Sequence, residues 1–291
     1  MKKNTHYSSY IDEPVRTALL LAAGTGSRLA PLTDSTPKCL VTVNEISILE
    51  RLISSLQAHN FTRLVIVIGY QGECIRNYLG NKKGGMEITY ITSSVYRTTN
   101  NIYSLWLARN VIDEPFLLVE SDLVFDTEML TDMLAPDRIA VAKMEPWMNG
   151  TTVTVNTHGE VEAFHGTTNT PGNNHFKTVN IYSLSMKTWD LVKQRLDQYI
   201  AGDEVNGYYE TVFADMVKEG CLSFTPVFFD TRGWYEIDTL TDLREAELIC
   251  SPWKQDSTFS AYPSFGSLVT AKDSLNVKVS SSMAPRANIT Q

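Results

Sequence analysis

Residues 17–41, TALLLAAGTGSRLAPLTDSTPKCLV, constrain the fold of this chain more than any other stretch. Thr17 to Ala22 is an apolar run of strand length, and it breaks at Ala23-Gly24-Thr25-Gly26-Ser27-Arg28 into small residues closed by a cation. Glycine at 24 and 26 permits positive φ and removes Cβ, so something bulky can lie against the backbone there. A strand that opens into such a loop presents consecutive N–H groups to an anion, and the planar fork of Arg28 suits phosphate. Lys38, after Pro37, supplies a second cation for the same anion. Two common nucleotide loops are excluded: position 29 is Leu where G-x-G-x-x-G requires Gly, and Gly-Lys-Ser/Thr is absent. Dinucleotide redox chemistry and P-loop kinase or ATPase chemistry both lose support.

The segments that follow alternate between strand and helix. Ile48, Leu49, Leu52, Ile53 and Leu56 recur at helical spacing after a turn at Asn44-Glu45, and Arg63 to Gly69 is a fully apolar strand. Its lack of alternation suits a parallel strand covered on both faces, and strand–helix–strand within this distance is the βαβ unit that opens an α/β domain. Glu73–Leu79 reads as a helix, Lys82–Gly85 as a turn and Met86–Thr92 as a strand. Asn100 or Asn101 caps a helix carrying Ile102, Leu105 and Trp106 inward; adjacent amides also suit a polar ligand.

Pro115–Val119 is the next buried strand and runs into Glu120-Ser121-Asp122. A carboxylate just past the end of a central parallel strand lies where α/β proteins place ligands, so Asp122 is a candidate for Mg²⁺; the alternative is a helix cap, a role Asp126 or Thr127 can fill. Strands are expected at 138–143, 151–155, 159–164 and 176–184, with a turn-rich segment at 166–175 and helices at about 185–201 and 206–218. Lys177, just ahead of its strand, is either a third cation or a surface lysine. In the strand Gly233–Asp238, Glu236 and Asp238 project to one face and can complete a magnesium site with Asp122, unless Asp238 or Thr239 caps the next helix. Beyond Trp253 the chain is rich in Ser, Thr, Asn, Pro and Ala. We expect one domain over 1–254, with 255–291 a linker or the start of a further domain, disordered when alone.

The formal net charge of −8 argues against a nucleic-acid-coating protein. No apolar stretch reaches membrane-span length and the first fifteen residues lack a signal-peptide core, so a cytoplasmic location without membrane insertion is expected. The four cysteines at 39, 74, 221 and 250 have no metal-site spacing and read as small buried hydrophobes. With no serine elbow and no histidine cluster, positioned charges without a general base suit phosphoryl or nucleotidyl transfer.

The opening LLLAAGTGSRLAPLTDSTPKCLV resembles that of the sugar-1-phosphate and phosphocholine nucleotidyltransferases; YRTTNNIYSLWLA, ESD at 120–122 and GWYEIDTLTDLREAE at 233–247 are similar to the cytidylyltransferases of bacterial phosphocholine and phosphonate type. The likeness covers residues 15–252. It implies a Rossmann-like, glycosyltransferase-A-like fold: a mostly parallel or mixed central sheet flanked by helices, with a small antiparallel acceptor-side lobe. It further implies transfer of CMP from CTP to a small phosphonate or phosphate monoester such as 2-aminoethylphosphonate, 2-hydroxyethylphosphonate or phosphocholine, with Mg²⁺ and release of pyrophosphate.

Carried over by position, Ala22, Ala23, Gly24 and Gly26 cradle the nucleotide, while Arg28 and Lys38 hold phosphates. Tyr70 and Gln71 border the base, with Asn101 and Tyr103 on the nucleotide side. Asp122 and Asp238 ligate Mg²⁺, Glu236 is a ligand or acceptor-site carboxylate, and Lys177 steadies a phosphate or phosphonate. Trp147, Tyr208, Tyr209, Glu210 and Trp234 can wall a cationic acceptor, or be core and surface residues. Asn180, where many sugar nucleotidyltransferases have glycine, is expected on the acceptor side and counts against a sugar substrate. The rival expectations are a sugar-1-phosphate nucleotidyltransferase and a non-catalytic nucleotide-binding regulatory domain, and the tail is compatible with fusion to a further biosynthetic domain.

Overall fold

The computed structural model describes residues 14–145, 148–166, 174–230 and 233–251. The expected linker at 255–291 lies outside them, as do Trp147 and most of the turn-rich 166–175 segment. In chain order the elements are β1 (Thr17–Ala22), β2 (Thr42–Val43), β3 (Ile46–Ser47), α1 (Ile48–Ala58), β4 (Arg63–Ile68), α2 (Gly72–Leu79), β5 (Lys82–Lys83), β6 (Met86–Thr92) and α3 (Asn101–Leu107). They continue with β7 (Phe116–Glu120), β8 (Leu123–Phe125), β9 (Arg138–Lys143), β10 (Thr152–Val155), β11 (Val161–His165) and β12 (His175–Leu184). Then come α4 (Met186–Ala201), α5 (Tyr209–Lys218), β13 (Thr225–Phe229), β14 (Trp234–Glu236) and α6 (Leu240–Ile249).

One ten-stranded sheet runs β11-β10-β12-β7-β1-β4-β6-β5, with β9 beside β12 and β13 beside β9. Its centre, β7-β1-β4-β6, is parallel, while β12 joins β7 antiparallel and opens an antiparallel region with β10 and β11. Every residue of β1 is buried, as the apolar run demands of a strand covered on both faces. Because β1, β4 and β7 are parallel neighbours, the loops leaving them, Ala23–Arg28, Gly69–Gln71 and Ser121–Asp122, emerge at one sheet edge.

Two apolar clusters fix this edge. The larger packs Leu19, Leu21, Val65 and Val67 of the sheet against Ile102 and Leu105 of α3, Trp189 and Val192 of α4, and Phe213 of α5. Trp106 is only partly buried against it. The smaller gathers Leu29, Val41, Val43, Val124, Tyr235, Ile237 and Leu243. It ties the segment after the glycine loop to β14 and α6, and so carries Asp238 across the chain to Arg28.

Three local expectations change. DTEMLTDM forms a 3-10 turn over Thr127–Met133 capped by Asp126, and α6 is capped by Thr239 in a capping box with Asp242, so neither Asp122 nor Asp238 is used as a helix cap. Lys177 lies inside β12, within the strand expected at 176–184 and not just ahead of it, and it is buried, which sets aside the surface-lysine alternative. Asn180 takes φ 59 in mid-strand, a conformation asparagine tolerates better than most residues, and there β12 exchanges β10 for β7 as its neighbour. The cysteines also divide: Cys39 and Cys250 are buried, Cys74 is half-buried and Cys221 is exposed. Burial pushes the Cys39 thiol up to about 12 and the Cys250 thiol to about 11. Native-state alkylation near pH ~8, read by mass spectrometry, is therefore expected to label Cys221 first and to spare Cys39 and Cys250, since the thiolate is the nucleophile.

Candidate active site

The glycine loop shapes a cavity of about 300 Å³ whose lining includes Ala23, Gly24, Gly26, Arg28, Lys38 and Asp122. Gly26 is the residue that needs positive φ, at 63°, and a Cβ there would stand 3.0 Å from the Lys38 Cβ. Gly24, for which the same conformation was expected, does not adopt it; a Cβ there would meet nothing within 4 Å, so glycine keeps this wall open. Ala22 is buried behind the lining.

A tyrosine holds the loop in shape. The Tyr70 N–H donates to the Ala23 carbonyl at 3.0 Å, and its hydroxyl reaches the Thr33 and Asp34 carbonyls at 2.9 and 2.6 Å. Thr33 in turn donates to the Gly26 carbonyl at 2.9 Å. Tyr70 and Gln71 do not line this cavity, and the Tyr70 side chain acts as a strap across the loop. Tyr96 lines the wall instead, packed so close to Gly69 that a Cβ there would come within 2.8 Å of its ring. Replacing Tyr70 by Phe removes this hydroxyl's hydrogen bonding to the loop, worth about 1 kcal/mol, and urea unfolding should show a loss of about that size.

The cations and carboxylates are paired with one another. Lys38 Nζ donates to Asp122 Oδ2 and Asp238 Oδ1, both at 2.8 Å, and Arg28 donates to the same Asp238 oxygen at 2.7 Å. Burial would lower the Lys38 pKa, yet the two carboxylates outweigh it and hold the ammonium above its ordinary range. Among the described residues Asp122 Oδ1 is buried and finds no hydrogen-bond partner. Of the two roles expected for Glu236, the arrangement favours the acceptor-site carboxylate: it pairs with Lys177 Nζ at 3.2 Å and accepts from Asn180 at 3.4 Å, and among the described residues no group of three or more His, Cys, Asp or Glu is gathered as a metal site. The strand ends at Glu236, so strict alternation does not extend to Asp238.

A second cavity of about 140 Å³ shares Arg28 and Asp238 with the first and is also lined by Asn149, Lys177, Trp234 and Glu236. Lys177 is buried, with its Nζ on the Thr178 carbonyl at 2.7 Å; Gly150 makes room, since a Cβ there would lie 3.3 Å from that nitrogen. Of the other expected wall residues, Tyr208 is 59% exposed and lines the first cavity. Tyr209 is fully buried, and Glu210 is buried with its oxygens taken by the Thr151, Thr178 and Tyr182 hydroxyls. Glu210 is thus a structural carboxylate and not part of an open wall.

Asn101 lines the first cavity but spends its amide on the protein, donating to Glu120 at 2.9 Å and accepting the Tyr209 N–H at 3.1 Å. Tyr103 lies outside the lining, its ring packed at a tilt against Trp106 with centroids 5.1 Å apart. Glu120, Ser121, Thr99 and Ser104 line the cavity without having been singled out, although Glu120 sits in the same ESD run as Asp122. Burial, then the charges of Asp122, Glu210 and Glu236, push the Glu120 carboxyl up to about 8.

Residues 17–164, just over half of the chain, match the family model described as nucleotidyl transferase. The CMP-5'-(3-aminopropyl)phosphonate synthase of Streptomyces rubellomurinus is 31% identical over 265 residues, covering 87% of this chain and 41% of its own length. The chain thus spans about two fifths of that relative. The choline-phosphate cytidylyltransferase of Streptococcus pneumoniae is 26% identical over 80% of this chain and 97% of its own. A solved CTP:phosphocholine cytidylyltransferase from Streptococcus pneumoniae superposes with a TM-score of 0.70 at 26% identity, covering 81% of this chain and 99% of that one. With a glycine-loop cavity at the parallel sheet edge and a family model that spans it, this chain belongs to the nucleotidyltransferase family.

Proposed function

We propose that this chain transfers CMP from CTP to a small phosphonate or phosphate monoester, releasing pyrophosphate, in the cytoplasm. The observation that carries the reading is the pair of cavities that meet at Arg28 and Asp238, one under the glycine loop and one beside Lys177. The relatives named for an aminopropylphosphonate nucleotide and for choline phosphate support the acceptor class. Among the described residues no helix is long and apolar enough to cross a membrane.

In this reading the loop backbone holds the triphosphate, and Arg28 and Lys38 exchange their carboxylates for phosphate oxygens. An ionised acceptor oxygen, steadied by Lys177, attacks the α-phosphorus in line; the bond to the bridging oxygen breaks and pyrophosphate leaves. The attacking oxygen is already an anion, so no general base is required. The two cations neutralise charge on the departing group, the form of catalysis that dominates phosphoryl chemistry. Asp122 and Asp238 fit Mg²⁺, which takes one or two carboxylates plus substrate phosphates, and the unpartnered Asp122 Oδ1 is a ready oxygen ligand. When bound, Mg²⁺ would supply charge neutralisation on the triphosphate.

The test is pyrophosphate release with CTP and Mg²⁺ against phosphocholine, 2-aminoethylphosphonate, 2-hydroxyethylphosphonate and glucose 1-phosphate. One of the first three should exceed glucose 1-phosphate in kcat/KM by about two orders of magnitude or more. Preference for the sugar phosphate would assign the chain to the sugar branch. CTP binding without release on any acceptor would assign it to the non-catalytic class.

A further inference from the structure

Lys38 stands where a small cation between Asp122 and Asp238 would stand. Its ammonium bridges the two carboxylates at 2.8 Å each, and these come from distant elements, the turn after β7 and the segment after β14. The lysine side chain and both carboxylates are largely withdrawn from solvent, at 13%, 13% and 19% exposure. Two such carboxylates without a cation between them would repel strongly, because little water screens them. The stem is also close to the loop: a Cβ added at Gly26 would stand 3.0 Å from the Lys38 Cβ.

We infer that Lys38 is a tethered counter-ion occupying the metal position before nucleotide arrives, so that the site takes a divalent cation only together with a triphosphate. This rests on the reading above, in which Asp122 and Asp238 are metal ligands. A divalent ion arriving alone must expel an ammonium held by two charge-assisted bonds. A triphosphate supplies that ammonium with a new partner. Lys38 then moves onto a phosphate oxygen, Arg28 follows from Asp238, and the freed Asp122 Oδ2 and Asp238 Oδ1 join the unpartnered Asp122 Oδ1 in facing the ion. The coupling is reciprocal: metal and nucleotide each raise the affinity for the other.

The experiment measures Mn²⁺ binding without nucleotide, from the electron paramagnetic resonance signal of the free ion. The wild-type chain should bind Mn²⁺ weakly, and Lys38→Met or Lys38→Gln at least about tenfold more tightly, because the carboxylate pair has lost its internal cation. Lys38→Arg retains a cation and should stay weak. Thermal melts give an independent readout: Mg²⁺ alone should raise the Tm of Lys38→Met and leave that of the wild type unmoved. Wild-type protein that binds Mn²⁺ alone as tightly as Lys38→Met would overturn the tethered counter-ion and leave the proposed function standing. If no variant binds Mn²⁺ while CTP still binds, even with a non-hydrolysable CTP analogue present, the metal reading falls and this inference with it. Should both neutral variants fail to fold in the presence and absence of metal, the wild-type arm decides: tight Mn²⁺ binding at this site without nucleotide overturns the inference, and its absence, with binding gained on adding the analogue, upholds it.

Discussion

Asp122→Asn leaves the protein folded and lowers kcat/KM for CMP transfer by about 10²–10³-fold, the loss typical of removing one charge-stabilising group from a preorganised site. The fold survives because the substitution keeps the shape of the side chain, and because Lys38 retains Asp238 as a partner at 2.8 Å. Asp122 is no helix cap, since Asp126 fills that role, so no secondary structure depends on it. What disappears is the charge at the end of β7. Lys38 would lean on Asp238 alone, and the oxygen now buried without a partner would lose its value as a ligand for a hard cation. Pyrophosphate release, with circular dichroism and a thermal melt on the same preparation, separates the two effects. Wild-type turnover in a folded Asp122→Asn protein would sink the assignment of Asp122 as a metal ligand.

The parts of this molecule that obey local rules are the parts its sequence discloses. β1, α1, β4, α2 and β6 follow from unbroken apolar runs and helical spacing, and the glycine loop from the small residues that interrupt the first run. The break within β12 is hidden: the expected strand at 176–184 nearly matches the observed one, but Asn180 adopts φ 59 at its middle and the strand changes neighbour there, which its apolar pattern does not show. The 3-10 turn at Thr127–Met133 carries a helical pattern and differs only in its hydrogen bonds, which composition does not encode.

The pairing of charges is the deeper omission. Lys38 with Asp122, Lys38 with Asp238 and Arg28 with Asp238 are separated by 84, 200 and 210 residues. Each residue is visible in the chain as a candidate ligand. Which cation meets which carboxylate depends on closure of the small core around Leu29, Ile237 and Leu243, and so on the whole fold. Tyr70 illustrates the same limit: its place after β4 is legible, but only the path of residues 31–36 decides that its hydroxyl reaches the Thr33 and Asp34 carbonyls.

Glu236→Ala destabilises the protein by about 3 kcal/mol, because breaking a buried ion pair from one side strands the other charge. The stranded charge is Lys177, whose side chain is 3% exposed against 26% for Glu236. Apart from Glu236 at 3.2 Å, the ammonium has the Thr178 carbonyl at 2.7 Å, a neutral acceptor that compensates only part of a buried positive charge. Burial raises the Glu236 pKa, the Lys177 charge opposes that, and Asp122 and Asp238 reinforce it, so the carboxylate is less stable ionised than a surface one and the pair contributes less than its geometry alone suggests. For this reason the expected loss lies at the lower end of the range for buried pairs. Glu236→Gln keeps an acceptor facing Lys177 and Asn180 and should lose less. The decisive comparison is the double variant Glu236→Ala/Lys177→Met, which removes the stranded charge together with its partner and should recover most of the stability in urea unfolding. Its activity should not return, because both residues line the second cavity, where Lys177 joins Arg28 as a cation for an incoming phosphonate in the proposed reaction. Equal stability of Glu236→Ala and the wild type would mean that Lys177 does not depend on this carboxylate, and the buried ammonium would then need another source of compensation.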